Sequence, residues 1–221
     1  MYCREFEGGL RLLERGVGDL ATEVGRSLEA AVTCLEDGDA GAAGQRAGVD
    51  LRYKALGARI EADSMILQAR YAPVARDLRR LHAVRLTAEH LVRAGSLCEH
   101  VCRAVCEISD AADRDAETAA SLLSMARAAS GVLRGGVEAL EARDVDRAKR
   151  LAIEDDRVDR LREEVMGRIC GPDRPDGADP ACKMRTALVA HYLERIADHG
   201  VQIGEGAVFL VTGERAVSIA S

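Results

Sequence analysis

Two pairs of carboxylates in the C-terminal half of the sequence have the spacing that a metal site on helices requires. Asp155 and Asp159 form a D-x-x-x-D pair, and Glu194 and Asp198 form an E-x-x-x-D pair. Side chains four residues apart lie on one face of an α-helix. Two such pairs on facing helices would make an oxygen-rich pocket suited to a hard cation.

The same pattern occurs a second time in the N-terminal half, in an altered form. A shift of 105 positions gives four correspondences: Asp155 with Asp50, Asp159 with Lys54, Glu194 with Glu89, and Asp198 with Arg93. A repeat of this length indicates two similar subdomains rather than a solenoid of short units. Because the first half keeps only two of the four acids, we expect a degenerate site there.

Helical periodicity predicts six helices, at about 3–36, 40–70, 74–109, 116–142, 145–169 and 181–212. Aromatic residues make up only 3% of the chain and Trp is absent, which favours helices over strands. Pro73 is expected to break the second helix, and Gly213 to end the sixth. The predicted fold is all-α, with two tandem antiparallel three-helix bundles related by internal duplication, over residues 1–110 and 111–221.

The composition narrows the classes of function. The net charge of −6 argues against an extended nucleic-acid surface. The charged N-terminal segment has no apolar core typical of a signal peptide, and no window has the roughly 18 unbroken apolar residues of a membrane span. We therefore expect a cytoplasmic protein whose seven cysteines are reduced thiols.

Two segments resemble signature motifs of the PhoU family. Residues 73–79, PVARDLR, resemble the P-V-A-x-D-L-R segment of that family. Residues 194–199, ERIADH, resemble its E-R-I-[GA]-D signature. The resemblance extends over essentially the whole chain and agrees with the duplicated three-helix organisation.

This resemblance implies a regulatory adaptor rather than an enzyme. Members of the family repress the phosphate-starvation response and high-affinity phosphate uptake. They act through a phosphate-sensing histidine kinase and the phosphate ABC transporter at the cytoplasmic face of the membrane. By resemblance, we expect the kinase and the transporter ATPase as partners, attachment to the membrane only through them, and no nucleic acid. A homodimer is retained as an option.

The family also implies multinuclear metal sites held by its paired acidic motifs. Carried over by position, the implied ligands of the second bundle are Asp155, Asp159, Glu194 and Asp198, with Asp50 and Glu89 as their degenerate counterparts. All-oxygen ligands suit Mg, Ca, Mn or Fe better than Cu or a structural Zn. The expected cofactor is a divalent or trivalent ion (Fe, Mn, Mg or Zn) in the second bundle only.

Other interpretations of the acidic cluster stay open at this point. A solvated ion-pair network would use the nearby Arg157, Arg160 and Arg195. A metal-dependent hydrolase or a metal-storage bundle is the alternative function, although no nucleophile with a recognisable base is present. His199 follows Asp198 directly, but helical neighbours point about 100° apart, so we leave His199 out of the ligand set.

In the first half, each remaining acid is followed four residues later by a base. Lys54 follows Asp50, and Arg93 follows Glu89, which is the favourable orientation for an ion pair on a helix. We hypothesise that the ammonium and guanidinium groups of these bases replace the charge of the metal.

Two further clusters are interpreted without a catalytic role. Cys98, Cys102 and Cys106 recur every four residues, and we expect them to pack in the core rather than form a thiolate metal stripe or a redox sensor. Five arginines near Pro73 are predicted to form a solvated face or a partner contact rather than a phosphate site. They are Arg70, Arg76, Arg79, Arg80 and Arg85.

Overall fold

The computed structural model describes residues 2–37, 52–109, 116–171 and 179–214, which form six α-helices and no β-strand. The helices are α1 (Tyr2–Asp37), α2 (Arg52–Tyr71), α3 (Ala75–Ser109), α4 (Ala116–Ala142), α5 (Val145–Cys170) and α6 (Pro180–Thr212). The all-α prediction is confirmed, and the predicted helix ends agree to within one residue wherever the structure describes them. The predicted start of the second helix and the predicted boundary at residue 110 lie outside the described residues.

The two helices that carry the acidic pairs begin at capping aspartates. The Asp144 side chain accepts a hydrogen bond of 2.8 Å from the backbone N–H of Arg147 and begins α5. Asp179 caps α6 in the same way through Ala181, and Pro180 occupies the first helical position. Gly213 ends α6 at φ 78°, a left-handed conformation that glycine adopts readily.

The helices pack as two groups of three that share one core. Helices α1, α2 and α3 contact one another, and α4, α5 and α6 do the same. The contact between α3 and α6 is the most extensive between any two helices and joins the groups, together with α1 against α4. One apolar core therefore runs through both groups, and it includes Leu91 and Val101 on α3 and Leu193 on α6.

None of the described helices combines the length and the apolar character needed to cross a lipid bilayer. Helix α5 has one buried stripe, in which the fully buried Leu151, Val158 and Val165 follow one another at steps of seven. The position of a side chain relative to such a buried stripe decides whether it can meet a neighbouring helix.

Candidate metal centre

Helix α5 places two of the predicted acids beside its buried stripe. Asp155 lies four residues after Leu151 and three before Val158, both of which are fully buried. Asp155 is consequently half-buried at the edge of the contact with α6, whereas Asp159, one turn later, is exposed. The α5 pair therefore has one protected carboxylate and one that solvent reaches.

Helix α6 presents the other two acids in a similar way. Leu193 and Ala197 are fully buried, and each is followed directly by one of the acids. Glu194 is half-buried and Asp198 is exposed. Because α5 packs against α6, the two acidic pairs approach each other along the rim of this helix–helix contact.

The pKa values show that the four carboxylates interact electrostatically. Partial burial and the charges of Asp159, Asp198 and Glu194 raise the pKa of Asp155 to about 7. Partial desolvation and the charge of Glu194 likewise raise the pKa of Asp159 and that of Asp198. The cluster therefore holds a proton at Asp155 more readily than an isolated carboxylate would, and it is stabilised by any added positive charge.

Only one of the four acids is neutralised by ion pairs within the described part of the chain. Glu194 contacts the Arg162 guanidinium at 3.3 Å and the His191 Nδ1 at 3.1 Å. The alternative network through Arg157, Arg160 and Arg195 does not form among the described residues, and Arg160 instead donates to the backbone carbonyl of Asp156. Arg162 and His191 were missed from the sequence, although both lie at helical spacing from an acidic motif: Arg162 is three residues after Asp159, and His191 is three before Glu194.

The donor chemistry of this cluster suits a hard cation, but its side chains are not arranged as a closed ligand set. Four carboxylates that repel one another are relieved by a cation that prefers oxygen ligands. Across residues 2–37, 52–109, 116–171 and 179–214, no group of three or more His, Cys, Asp or Glu side chains is arranged so that it could hold a metal ion. The metal therefore stays a prediction, with Asp155, Asp159, Glu194 and Asp198 as the residues that would hold it.

The corresponding place in the first group of helices keeps only part of the predicted arrangement. Glu89 and Arg93 form the expected ion pair at 2.7 Å, with both side chains more than half exposed. Asp50 lies outside the described residues. Lys54 binds Glu99 on α3, with 3.0 Å between Nζ and Oε2. This contact joins α2 to α3, and the predicted pairing of Lys54 with Asp50 stays a prediction.

Glu99 is held by a second group that sequence reasoning missed. The Tyr53 hydroxyl donates a hydrogen bond to Glu99 and lies 3.3 Å from the Ser96 hydroxyl. Tyr53 is only 1% exposed, and burial together with its bond to Glu99 raises its pKa. A buried phenol and an ammonium group therefore bind the same carboxylate and connect α2 to α3.

Two histidines meet where the two groups of helices join. The Nδ1 atoms of His90 on α3 and His199 on α6 are 3.3 Å apart, and His199 Nδ1 also lies 3.1 Å from Gln202 Oε1. Burial lowers the pKa of His90 and lowers that of His199 to about 4, so both rings are neutral near pH 7. His199 therefore packs across the contact between α3 and α6, apart from the acidic motif it follows in sequence.

The cysteine stripe packs in the core, as predicted. Cys98 and Cys102 are buried, and Cys106 packs against the core from a partly buried position. Burial raises the pKa of the Cys98 thiol to about 12. The sulfur atoms of Cys102 and Cys34 are 3.4 Å apart, and this contact, together with burial, raises the pKa of Cys102. These two thiols stay protonated at neutral pH, whereas metal binding and nucleophilic attack require a thiolate.

One member of the arginine cluster is placed differently from the prediction. Arg80 is only 8% exposed and binds Glu7 and Glu14 on α1 at 2.9 and 3.0 Å. The prediction of a solvated face is therefore wrong for Arg80. The sequence did hold a signal: Glu7 and Glu14 are seven residues apart, so both lie on one face of α1.

Sequence comparison identifies both halves of the chain with one kind of domain. A family model described as PhoU domain matches residues 17–105 and 122–207. Among curated relatives, a phosphate-specific transport system accessory protein PhoU homolog of Deinococcus radiodurans is 29% identical over 210 residues, covering 95% of this chain and 97% of the relative. PhoU homolog 1 of Mycobacterium tuberculosis is 28% identical over 198 residues, covering 89% of this chain and 88% of the relative.

Solved structures have the same fold. The phosphate transport system regulatory protein PhoU of Streptococcus pneumoniae superposes with a TM-score of 0.86 at 23% identity, covering 96% of this chain and 99% of the other. PhoU of Pseudomonas aeruginosa gives a TM-score of 0.87 at 22% identity, covering 95% of this chain and 100% of the other. At these identities the structural likeness concerns the fold, and the paired domain matches support a tandem duplication.

Proposed function

The chain belongs to the PhoU family, and from this membership we propose that it is a non-enzymatic accessory protein that regulates phosphate-specific transport. The observation that carries the proposal is the match of a PhoU domain to each half of a fold built from two similar helical groups. The named relatives, which are phosphate-specific transport system accessory proteins, are similar over nearly their whole length.

In this proposal, the protein represses the phosphate-starvation response and high-affinity phosphate uptake by binding other proteins. Its partners are the ATPase of the phosphate ABC transporter and the phosphate-sensing histidine kinase, reached from the cytoplasmic side. Long helices with exposed apolar side chains support docking of this kind. Val74, at the link between α2 and α3, is 75% exposed, and Met65 and Ile66 on α2 are each 61% exposed.

We also propose that the acidic cluster between α5 and α6 binds a hard cation. Asp155, Asp159, Glu194 and Asp198 would supply the ligands, and the bound cation would offset the repulsion that raises the pKa of Asp155 to about 7. The charge of the cation would fix α5 against α6 and thereby stiffen the second group of helices. Binding would displace the proton held by Asp155, so we expect weaker binding as the pH falls below about 7.

The regulatory proposal is tested by deleting the gene in its own host. We expect the deletion to raise a phosphate-starvation reporter during growth on ample phosphate, because repression is lost. The intact gene should restore repression, and affinity-tagged protein should co-purify with the transporter ATPase or the kinase. A chain with Met65→Ser, Ile66→Ser and Val74→Ser should be retained less well by these partners, because its exposed apolar surface is lost.

The matched control replaces Leu12 with serine, because Leu12 is 63% exposed and lies on another helix, α1. This variant should bind the partners normally. A deletion strain with unchanged reporter activity, combined with no co-purified partner, would contradict the proposal. Turnover of phosphate esters that disappears in Asp159→Ala would instead favour the metal-dependent hydrolase.

A further inference from the structure

A small cavity lies where α2, α3 and α6 meet, and none of the acidic residues of the candidate metal centre lines it. Its volume is about 250 Å³, and its walls include Ser64, Leu78, Arg79, Leu81, Arg85 and Phe209. Cavities that hold drug-sized ligands usually measure about 300–1,000 Å³. This cavity therefore suits a small molecule.

Two buried polar atoms at the cavity have no hydrogen-bond partner among the described residues. Ser64 is 2% exposed, and its hydroxyl is buried without a partner. The Nε of Arg79 is also buried without a partner, while the guanidinium lies beside Gly213 at the end of α6. Leaving such a group unsatisfied costs about 1–3 kcal/mol, so a ligand that supplies hydrogen-bond partners is favoured here.

The charge at the cavity is positive and is not neutralised within the described part of the chain. Arg79 and Arg85 both line the cavity, and neither forms an ion pair with a described carboxylate. Arg80, next to Arg79 in sequence, instead points to α1 and is paired with Glu7 and Glu14. Within the cluster of five arginines, Arg80 is thus a buried structural cation, whereas Arg79 and Arg85 line the cavity.

The rest of the cavity wall is mainly apolar, although Gln68 and His82 also line it. Leu81 is buried, Leu78 contributes its aliphatic side chain, and the Phe209 ring meets the His82 ring edge to face, with 6.0 Å between centroids. A bare inorganic anion would leave these apolar surfaces without a partner. An anion that carries a compact apolar group would cover them and still reach the arginines.

We propose that this cavity binds a small organic anion, a carboxylate or a phosphomonoester on a compact apolar body. Arg79 and Arg85 bind the anionic group, and Leu78, Leu81 and Phe209 surround the apolar body. The Ser64 hydroxyl donates to, or accepts from, a polar atom of the ligand. Because its walls come from α2, α3 and α6, the bound ligand connects the two groups of helices. The inference does not depend on the proposed regulatory function.

The test is isothermal titration calorimetry on the full chain with two probes, phenyl phosphate and benzoate. We expect saturable binding of at least one probe at one site per chain. Phenol lacks the anionic group and inorganic phosphate lacks the apolar body, so each should bind at least about tenfold more weakly than that probe. Because the two probes carry different anionic groups, their relative affinities tell a phosphomonoester from a carboxylate.

Variants locate the binding in this cavity. Arg79→Gln and Arg85→Gln should each weaken the probe by about tenfold, because each removes a charge-assisted hydrogen bond. Ser64→Ala should weaken it by a smaller factor. The matched control is Arg134→Gln, an exposed arginine on α4 whose replacement should leave the affinity unchanged.

Two results would overturn the proposal. The first is the absence of saturable binding of either probe at millimolar concentration, which would mean that the cavity holds water only. The second is unchanged affinity in both Arg79→Gln and Arg85→Gln. Since Arg85 is exposed, its replacement leaves the core intact and keeps the test valid if Arg79→Gln fails to fold.

Discussion

Replacement of Gly200 with alanine is expected to lower the free energy of unfolding by about 1–3 kcal/mol, as overpacking of a tight interior does. Gly200 lies in α6 where α4 crosses it, and a Cβ on Gly200 would come within 2.7 Å of backbone atoms of Leu133 and Val132. A Cβ added to Gly136 on α4 would come even closer to the Gly200 carbonyl oxygen. Backbone atoms cannot yield as the end of a side chain can, so the two helices must move apart.

Gly206, six residues further along the same helix, is the matched control. A Cβ added there would meet nothing within 4 Å. Gly206→Ala should therefore raise the free energy of unfolding by about 0.5–1 kcal/mol through the higher helix propensity of alanine. Urea denaturation of the two variants measures the contrast. Equal stability of Gly200→Ala and Gly206→Ala would show that α4 and α6 do not approach as closely as the structure describes.

Replacement of Arg80 with methionine is expected to destabilise the protein by about 1–3 kcal/mol. The change leaves Glu7 and Glu14 on α1 without their shared cation. Removing one member of a buried ion pair costs about 3–5 kcal/mol, and the exposure of the two carboxylates, 36% and 35%, reduces that cost here. Methionine keeps much of the apolar stem of arginine, so the measurement reports mainly on the lost charge.

Arg93, on the same helix, provides the control for charge removal. Its pair with Glu89 is more than half exposed on both sides, so Arg93→Met should cost only about 0.3–0.5 kcal/mol. Comparable losses of stability in Arg80→Met and Arg93→Met, measured by urea denaturation, would contradict the buried position of Arg80.

The loss of stability caused by Arg80→Met should also depend on pH. The hydrogen bond from Arg80 lowers the pKa of Glu7 below its ordinary value of 4.5, against the opposing effect of partial burial. A lowered pKa in the folded state means that the pair stabilises the protein above that ordinary value and loses its effect as the pH falls through the folded-state pKa. The stability difference between the wild type and Arg80→Met should therefore shrink in acid below about pH 4.5.

Features encoded locally were predictable from the sequence. Helix boundaries followed from the periodic spacing of apolar residues and from Gly213 at the end of α6. The tandem organisation followed from the 105-residue shift. These signals need only neighbouring residues or an internal comparison, and tertiary contacts did not alter them.

Contacts between distant residues were less predictable, because helix crossings decide them. The sequence did not predict that Lys54 binds Glu99, 45 residues later, where α2 crosses α3. Arg80 looked like part of a solvated cluster until α1 brought Glu7 and Glu14 to it. The rule that opposite charges four residues apart form a pair predicts the favourable partner on the same helix. It does not predict contacts with carboxylates on another helix.

The acidic cluster was predicted in part: its members followed from the sequence, but its ion pairs did not. The shared spacing predicted which four side chains would interact, and the raised pKa values of Asp155, Asp159 and Asp198 agree with their proximity. The sequence did not predict that Glu194 would be paired with Arg162 and His191. Arg162 and His191 lie at helical spacing from the motifs, but the direction of their side chains depends on how α5 packs against α6.

The central claim, that a cation binds the second group of helices and not the first, is tested most directly by counting bound metal. The wild type, Asp198→Ala and Glu89→Gln would each be loaded with Mn²⁺ or Fe²⁺ at a pH above the Asp155 pKa of about 7, exchanged into metal-free buffer, and analysed by plasma mass spectrometry. We expect equal metal in the wild type and Glu89→Gln, and its loss in Asp198→Ala. Stoichiometric metal remaining in Asp198→Ala would contradict the claim.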